Sequence, residues 1–115
     1  MSETRRHYLF VCAANLNRSP TAEEVFRRMA AKNGLDVDVS SAGMSPFSTR
    51  PVTREMADEA DLIFVMEEYM AWELETRYGQ DPAKIVCLDI PDIYERGAPA
   101  LVQILNRELA PYARQ

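Results

Sequence analysis

Three runs of the chain are apolar without interruption: HYLFVC (residues 7–12), DLIFVM (61–66) and KIVCLD (84–89). A strand with one wet face alternates apolar and polar residues. A strand covered on both faces does not, and covered strands belong to parallel sheets. A fourth segment, VDVSSA (37–42), alternates more and reads as an edge strand. Helical patterns lie between and after these runs. In SPTAEEVFRRMAAKNG, Ser19 can cap, Pro20 takes the first helical position, and Glu23 and Glu24 fall in the acid-favouring first turn. Asn33 and Gly34 end that helix. EEYMAWELETRYG (67–79) and PALVQILNRELAPY (99–112) give two more helices, and Thr53 opens a short one after Pro51. Strand and helix in repeated alternation predict an α/β fold, a small four-stranded parallel sheet flanked by helices.

The bulk numbers narrow the class. At 115 residues the chain is expected to form one domain, 1–115, and with 47% apolar residues it can build a core without metal or disulfide staples. Its two cysteines, Cys12 and Cys87, are far apart and stand in no ligand spacing. They fit a reducing compartment and call for no metal or cofactor. A net charge of −5 disfavours nucleic acid and anionic membrane as partners. Two arginines precede the first apolar run, but that run is short and ends in Asn15 and Arg18, unlike a leader peptide. The expectation is a soluble cytoplasmic protein.

Parallel sheets bind ligands at the carboxyl ends of their strands. There the first strand ends in CAANLNRSP, residues 12–20. A tight loop entering a helix turns backbone N–H groups inward, and the helix dipole adds positive potential. Ala13, Ala14, Asn15, Leu16 and Asn17 would form this anion cradle, and Arg18 would supply a planar fork for two phosphate oxygens. Cys12 at its floor feels the same field, which favours thiolate, and Ser19 can donate to the sulfur. These parts suit transfer of phosphorus to cysteine. That chemistry also needs a proton donor for the leaving oxygen. His7 lies at the wrong end of its strand, but Asp89 and Asp92 follow the fourth run.

The pattern Cys12-x5-Arg18-Ser19-Pro20-x-Ala22-Glu23 resembles the signature of the low-molecular-weight protein tyrosine phosphatases, closest to short bacterial members with an Ile-Pro-Asp-x-Tyr segment. SSAG (40–43) and ADLIFVME (60–67) resemble further landmarks in family order. The resemblance implies that Cys12 forms a phosphocysteine, Arg18 binds the phosphoryl group and Ser19 stabilises the thiolate. Asn15 would brace the loop, with Ser41 as a candidate partner. Asp92 in Asp92-Ile93-Tyr94 would be the general acid, with Asp89 second, and Tyr94 would wall the pocket or lie as a lid over the core. The chain departs from the family at Asn17, where many members carry a second cysteine, at Ala14, which replaces a usual glycine, and in a shorter stretch between Gly43 and Ala60. The implied activity is hydrolysis of phosphotyrosine, with a phosphotyrosine protein as a candidate partner, or of small aryl phosphates. The alternatives are a non-catalytic phosphate-binding module and arsenate reduction. Cys87 reads as core, and Tyr69, Met70 and Trp72 as core and helix-face residues.

Overall fold

The structure is a computed structural model that describes residues 5–114; residues 1–4 of the N-terminal reading lie outside them. Four strands, β1 (Arg6–Cys12), β2 (Val37–Gly43), β3 (Leu62–Val65) and β4 (Ile85–Cys87), form one sheet in the order β2-β1-β3-β4. Every pairing is parallel, in the registers Cys12 opposite Gly43, Phe10 opposite Phe64 and Val65 opposite Cys87. The helices are α1 (Arg18–Asn33), α2 (Arg54–Glu59), α3 (Glu68–Thr76) and α4 (Pro99–Leu109), with 3₁₀ turns at Pro82–Lys84 and Ala110–Tyr112. Among the described residues no helix is long and apolar enough to cross a membrane.

The sheet order and right-handed crossovers put α1 on one face and α2 and α3 on the other. Register then divides the core. Tyr8, Phe10 and Phe64 meet Phe26 of α1 on the first face, where the Phe10 and Phe64 rings stack at 4.8 Å and Tyr112 meets Phe64 edge-on at 4.9 Å. Leu9, Val11, Ile63 and Val65 face the other way, and they are buried with Met70 and Leu74 of α3. The central strand β1 is buried from Tyr8 to Cys12, as its unbroken apolar run predicts.

Several local expectations shift. β2 is an edge strand as expected, but β4 forms the opposite edge and is only half-buried, because no element pairs beyond it. Cys87 is therefore a half-buried edge residue rather than a core one. Helix α1 starts at Arg18, so Ser19 lies inside its first turn and is fully buried instead of capping. The first turn holds no acid. Glu23 instead accepts from Ser41 Oγ and pairs with Arg27, both at 2.6 Å. Gly34 closes α1 in the left-handed region, φ 69°, and Thr53 caps α2 by accepting from the Met56 N–H. On α3, Met70 is buried, but Tyr69 and Trp72 are exposed and line the outer face.

Candidate active site

The loop after β1 wraps the Cys12 sulfur. Ser19 Oγ lies 3.0 Å from Sγ, and the Asn15 N–H donates to Sγ at 3.2 Å. Asn15 reaches this pose through a left-handed backbone, φ 55°, which Asn tolerates better than most residues. Ala14 keeps a φ outside that region, so its replacement of glycine carries no strain.

The loop is stitched from outside by the chain following β2. Met44, Ser45 and Thr49 donate backbone N–H groups to the carbonyls of Cys12, Ala13 and Ala14. Asn15 Nδ2 donates to Thr49 Oγ1 at 3.2 Å, Thr49 Oγ1 donates to Asn15 O at 3.0 Å, and Asn15 Oδ1 accepts from Ser19 Oγ at 2.8 Å. Asn15 thus braces the loop, but through Ser19 and Thr49; Ser41 is occupied by Glu23. The short stretch after Gly43 is the loop's outer support. Gly43 must be glycine, since a Cβ there would stand 2.5 Å from Ser48 Cβ and 2.9 Å from Ala13 O.

Arg18 is 1% exposed. Its Nη1 donates to Glu67 Oε2 at 2.6 Å and to Ile90 O at 2.8 Å, while Nε lies 3.7 Å from Asp92 Oδ1. A buried guanidinium needs such partners. Two nitrogens on one edge, Nε and Nη2, are left for a ligand. Glu67, directly after β3, was not singled out as a site residue by sequence; in EEYMAWELE it is one acid among several.

A cavity of about 70 Å³ opens at this point, lined by Cys12, Ala14, Leu16, Asn17, Arg18 and Asp92. Ser19 stands behind the sulfur, Asn15 is turned toward Thr49, and Ala13 borders a neighbouring hollow with Met44, Ser45, Pro46, Tyr69, Glu73 and Arg77. Tyr94 is not among the cavity's walls and packs half-buried against the core. The aromatic beside the loop is Tyr69, whose phenol is raised by burial and by the Glu67 charge. Its position on the face opposite Met70 and Leu74 was the available signal. Asp89 is exposed, lines no part of the cavity and takes a left-handed φ of 57°. A wider groove of about 430 Å³ between α1 and α4 offers no nucleophile or acid.

This fold and loop define a cysteine-dependent phosphatase. Residues 7–57 match the family model of the low molecular weight phosphotyrosine protein phosphatases. The chain is similar to a protein-arginine-phosphatase of Bacillus subtilis, 28% identical over 102 residues, covering 70% of this chain and 68% of that protein. Over a shorter stretch it is 53% identical to the low molecular weight protein-tyrosine-phosphatase YfkJ of Bacillus subtilis, across 38 residues, 31% of this chain and 24% of that one. Its fold is similar to that of the tyrosine phosphatase Wzb from Escherichia coli in complex with phosphate. The TM-score is 0.78 at 19% identity, covering 96% of this chain and 97% of the other.

The two thiols differ in access, and the sequence expectation about access is reversed. Cys12 is 3% exposed at the cavity floor, whereas Cys87 is half-buried at the sheet edge. Burial pushes the Cys87 thiol up, and the nearby charges of Asp89, Glu68 and Glu67 act in the same direction. Near neutral pH Cys87 therefore stays a thiol, the unreactive form. Iodoacetate, an anion that the loop can draw in, is expected to alkylate Cys12 faster than Cys87, and inorganic phosphate should protect Cys12 competitively. Peptide mapping of the labelled protein checks this. Equal labelling of both, or no protection, would show that the cradle does not bind anions.

Proposed function

We propose that the chain acts as one phosphatase domain that hydrolyses phosphotyrosine or small aryl phosphate monoesters through a phosphocysteine on Cys12. The observation that carries this reading is the small cavity bounded at once by Cys12, Arg18 and Asp92. It groups a nucleophile, a planar cation and a carboxylic acid around room for one phosphoryl group.

In the first step Cys12 Sγ attacks phosphorus, the bond to the ester oxygen breaks, and Asp92 delivers its proton to that oxygen. Inward N–H groups of the loop and the Nε and Nη2 edge of Arg18 hold the three equatorial oxygens. In the second step Asp92, now a carboxylate, takes a proton from water as the water oxygen attacks phosphorus. The P–S bond breaks and the thiolate returns. Ser19 serves both steps through one proton. With Cys12 as a thiol, its hydroxyl donates to Asn15 Oδ1; with a thiolate, it turns to the sulfur 3.0 Å away.

Leu16, 54% exposed at the cavity's edge, and Tyr69 beyond Ala13 offer apolar and aromatic surface to a substrate ring. The similarity to a protein-arginine-phosphatase favours a second reading, with phosphoarginine in the same cavity. Arsenate reduction needs a further thiol near Cys12. Cys87 is in line with Val11 two strands away, ~10 Å at ordinary strand spacing, and a disulfide needs Cα atoms within about 7 Å. Hydrolysis of paired phosphotyrosine and phosphoarginine peptides by wild type and Cys12→Ser tests the proposal. Preference for phosphoarginine would replace the aryl substrate. Phosphate binding without turnover of any ester would mean that the loop only holds anions.

The acid assignment has its own test. Protonation matters most for oxygens that leave poorly. Asp92→Asn should lose on the order of 10²-fold with phenyl phosphate and far less with p-nitrophenyl phosphate. Asp89→Asn should be nearly silent, because Asn also tolerates the left-handed backbone. A steep leaving-group dependence in Asp89→Asn instead would move the acid three residues upstream.

A further inference from the structure

The segment that carries Asp92 is pinned at both ends. Upstream, Ile90 is buried; its N–H donates to Met66 O at 2.8 Å and its carbonyl accepts from Arg18 Nη1. Downstream, the Arg96 N–H donates to Asn17 Oδ1 at 3.0 Å and the Gly97 N–H donates to Thr21 Oγ1 at 3.0 Å. Thr21 Oγ1 itself donates to Asn17 O at 2.6 Å, so Asn17 and Thr21 form one clasp. Gly97 enters the clasp with φ 77°, a conformation that suits glycine. Between the pins Pro91, Asp92, Ile93 and Glu95 are exposed. Tyr94, half-buried against the core, holds the strap between them, and Pro91 has no N–H to offer.

The clasp takes a group that would ordinarily serve the helix. Asn17 stands at the N-cap of α1, yet its side chain caps nothing there. Its amide oxygen goes instead to a backbone 79 residues away. The same residue contributes to the wall of the cavity. One side chain thereby joins the phosphate loop to the segment that carries the carboxyl group.

We propose that Asn17 is a positioning residue: by gripping the Arg96 N–H, its side chain sets where Asp92 stands over Cys12. This rests on the reading of Asp92 as the proton donor. Releasing one end of a short strap lets the carboxyl group drift while Cys12, Arg18 and the loop's N–H groups stay in place. A displacement of about 1 Å at a reacting group can cost up to about 10²-fold in rate.

The test measures kcat/KM against leaving-group basicity for wild type, Asn17→Ala, Thr21→Val, Asp92→Asn and the double variant Asn17→Ala with Asp92→Asn. Inhibition by inorganic phosphate and thermal melts are recorded beside it. Asn17→Ala should lose about tenfold with phenyl phosphate and about twofold with p-nitrophenyl phosphate, while phosphate inhibition changes less than about threefold. Thr21→Val should show a shallower form of the same slope. In the Asp92→Asn background, Asn17→Ala should add no further slope. A steep Asp92→Asn profile with an even loss across substrates in Asn17→Ala overturns the clasp alone. So does a full extra loss in the double variant. A flat Asp92→Asn profile removes the acid assignment and the clasp with it. If Asn17→Ala fails to fold, Thr21→Val decides: the leaving-group slope sustains the proposal, and its absence ends it.

Discussion

Cys12→Ser is expected to hydrolyse p-nitrophenyl phosphate slower than wild type by on the order of 10⁴-fold or more, a loss of the size seen when other enzymes lose their nucleophile. The surroundings of Sγ explain why oxygen cannot replace sulfur. The Asn15 N–H and the Ser19 hydroxyl face Sγ, where they would stabilise a thiolate, and a thiol gives up its proton far more readily than an alcohol does. Among the residues lining the cavity the one carboxyl group is that of Asp92, which in the proposed mechanism is committed to the leaving oxygen and so is not available to activate a serine. The cradle itself survives the change. Calorimetric titration should find inorganic phosphate still bound by the variant. Turnover within tenfold of wild type would mean that the attacking group is not Cys12.

Arg18→Lys is expected to lower kcat on the order of 10²-fold, the scale for removing a transition-state donor, with little change in melting temperature. The arginine serves two sets of partners. Nη1 is held by Glu67 and Ile90, and in the proposed mechanism the edge of Nε, 3.7 Å from Asp92 Oδ1, and Nη2 takes two phosphoryl oxygens. A lysine has one nitrogen. If it stays on Glu67 and the Ile90 carbonyl it keeps the fold and abandons the phosphoryl group. If it moves to the phosphoryl group it leaves a half-buried carboxylate unpaired. Arg18→Ala would lose both and should also melt lower. Near-normal kcat in Arg18→Lys would reduce Arg18 to an attractor of anions.

Sequence carried the fold well where one residue's surroundings are local. The unbroken run at β1 marks its burial in its own composition, and the Gly34 stop and the Thr53 cap depend on neighbours a few residues away. It failed where a residue's role is fixed by a distant strand end. Glu67 is one of several acids in its stretch, and only the β1–β3 pairing brings it to Arg18. The donors from Arg96 and Gly97 are backbone groups, which leave no mark in a sequence. Ser19 has the chemistry of a cap and reads both as a cap and as a donor to the sulfur; it caps nothing. The buried sulfur makes the stronger demand on its hydroxyl. KIVCL has the composition of a central strand, but composition cannot say that the sheet stops there.

The spacing of the site's parts along the chain bears on how it comes into being. Arg18 meets Glu67 across 49 residues and Ile90 across 72, and Asn17 meets Arg96 across 79. Contacts that close such long loops form late in folding. During synthesis the thiol and the arginine emerge before Glu67, and well before Ile90 and Arg96. A chain ending at Cys87 thus displays the signature loop without the Ile90 carbonyl, the Asp92 carboxyl group and the Arg96 N–H. On the proposed mechanism, turnover waits until the segment beyond β4 has closed over the loop.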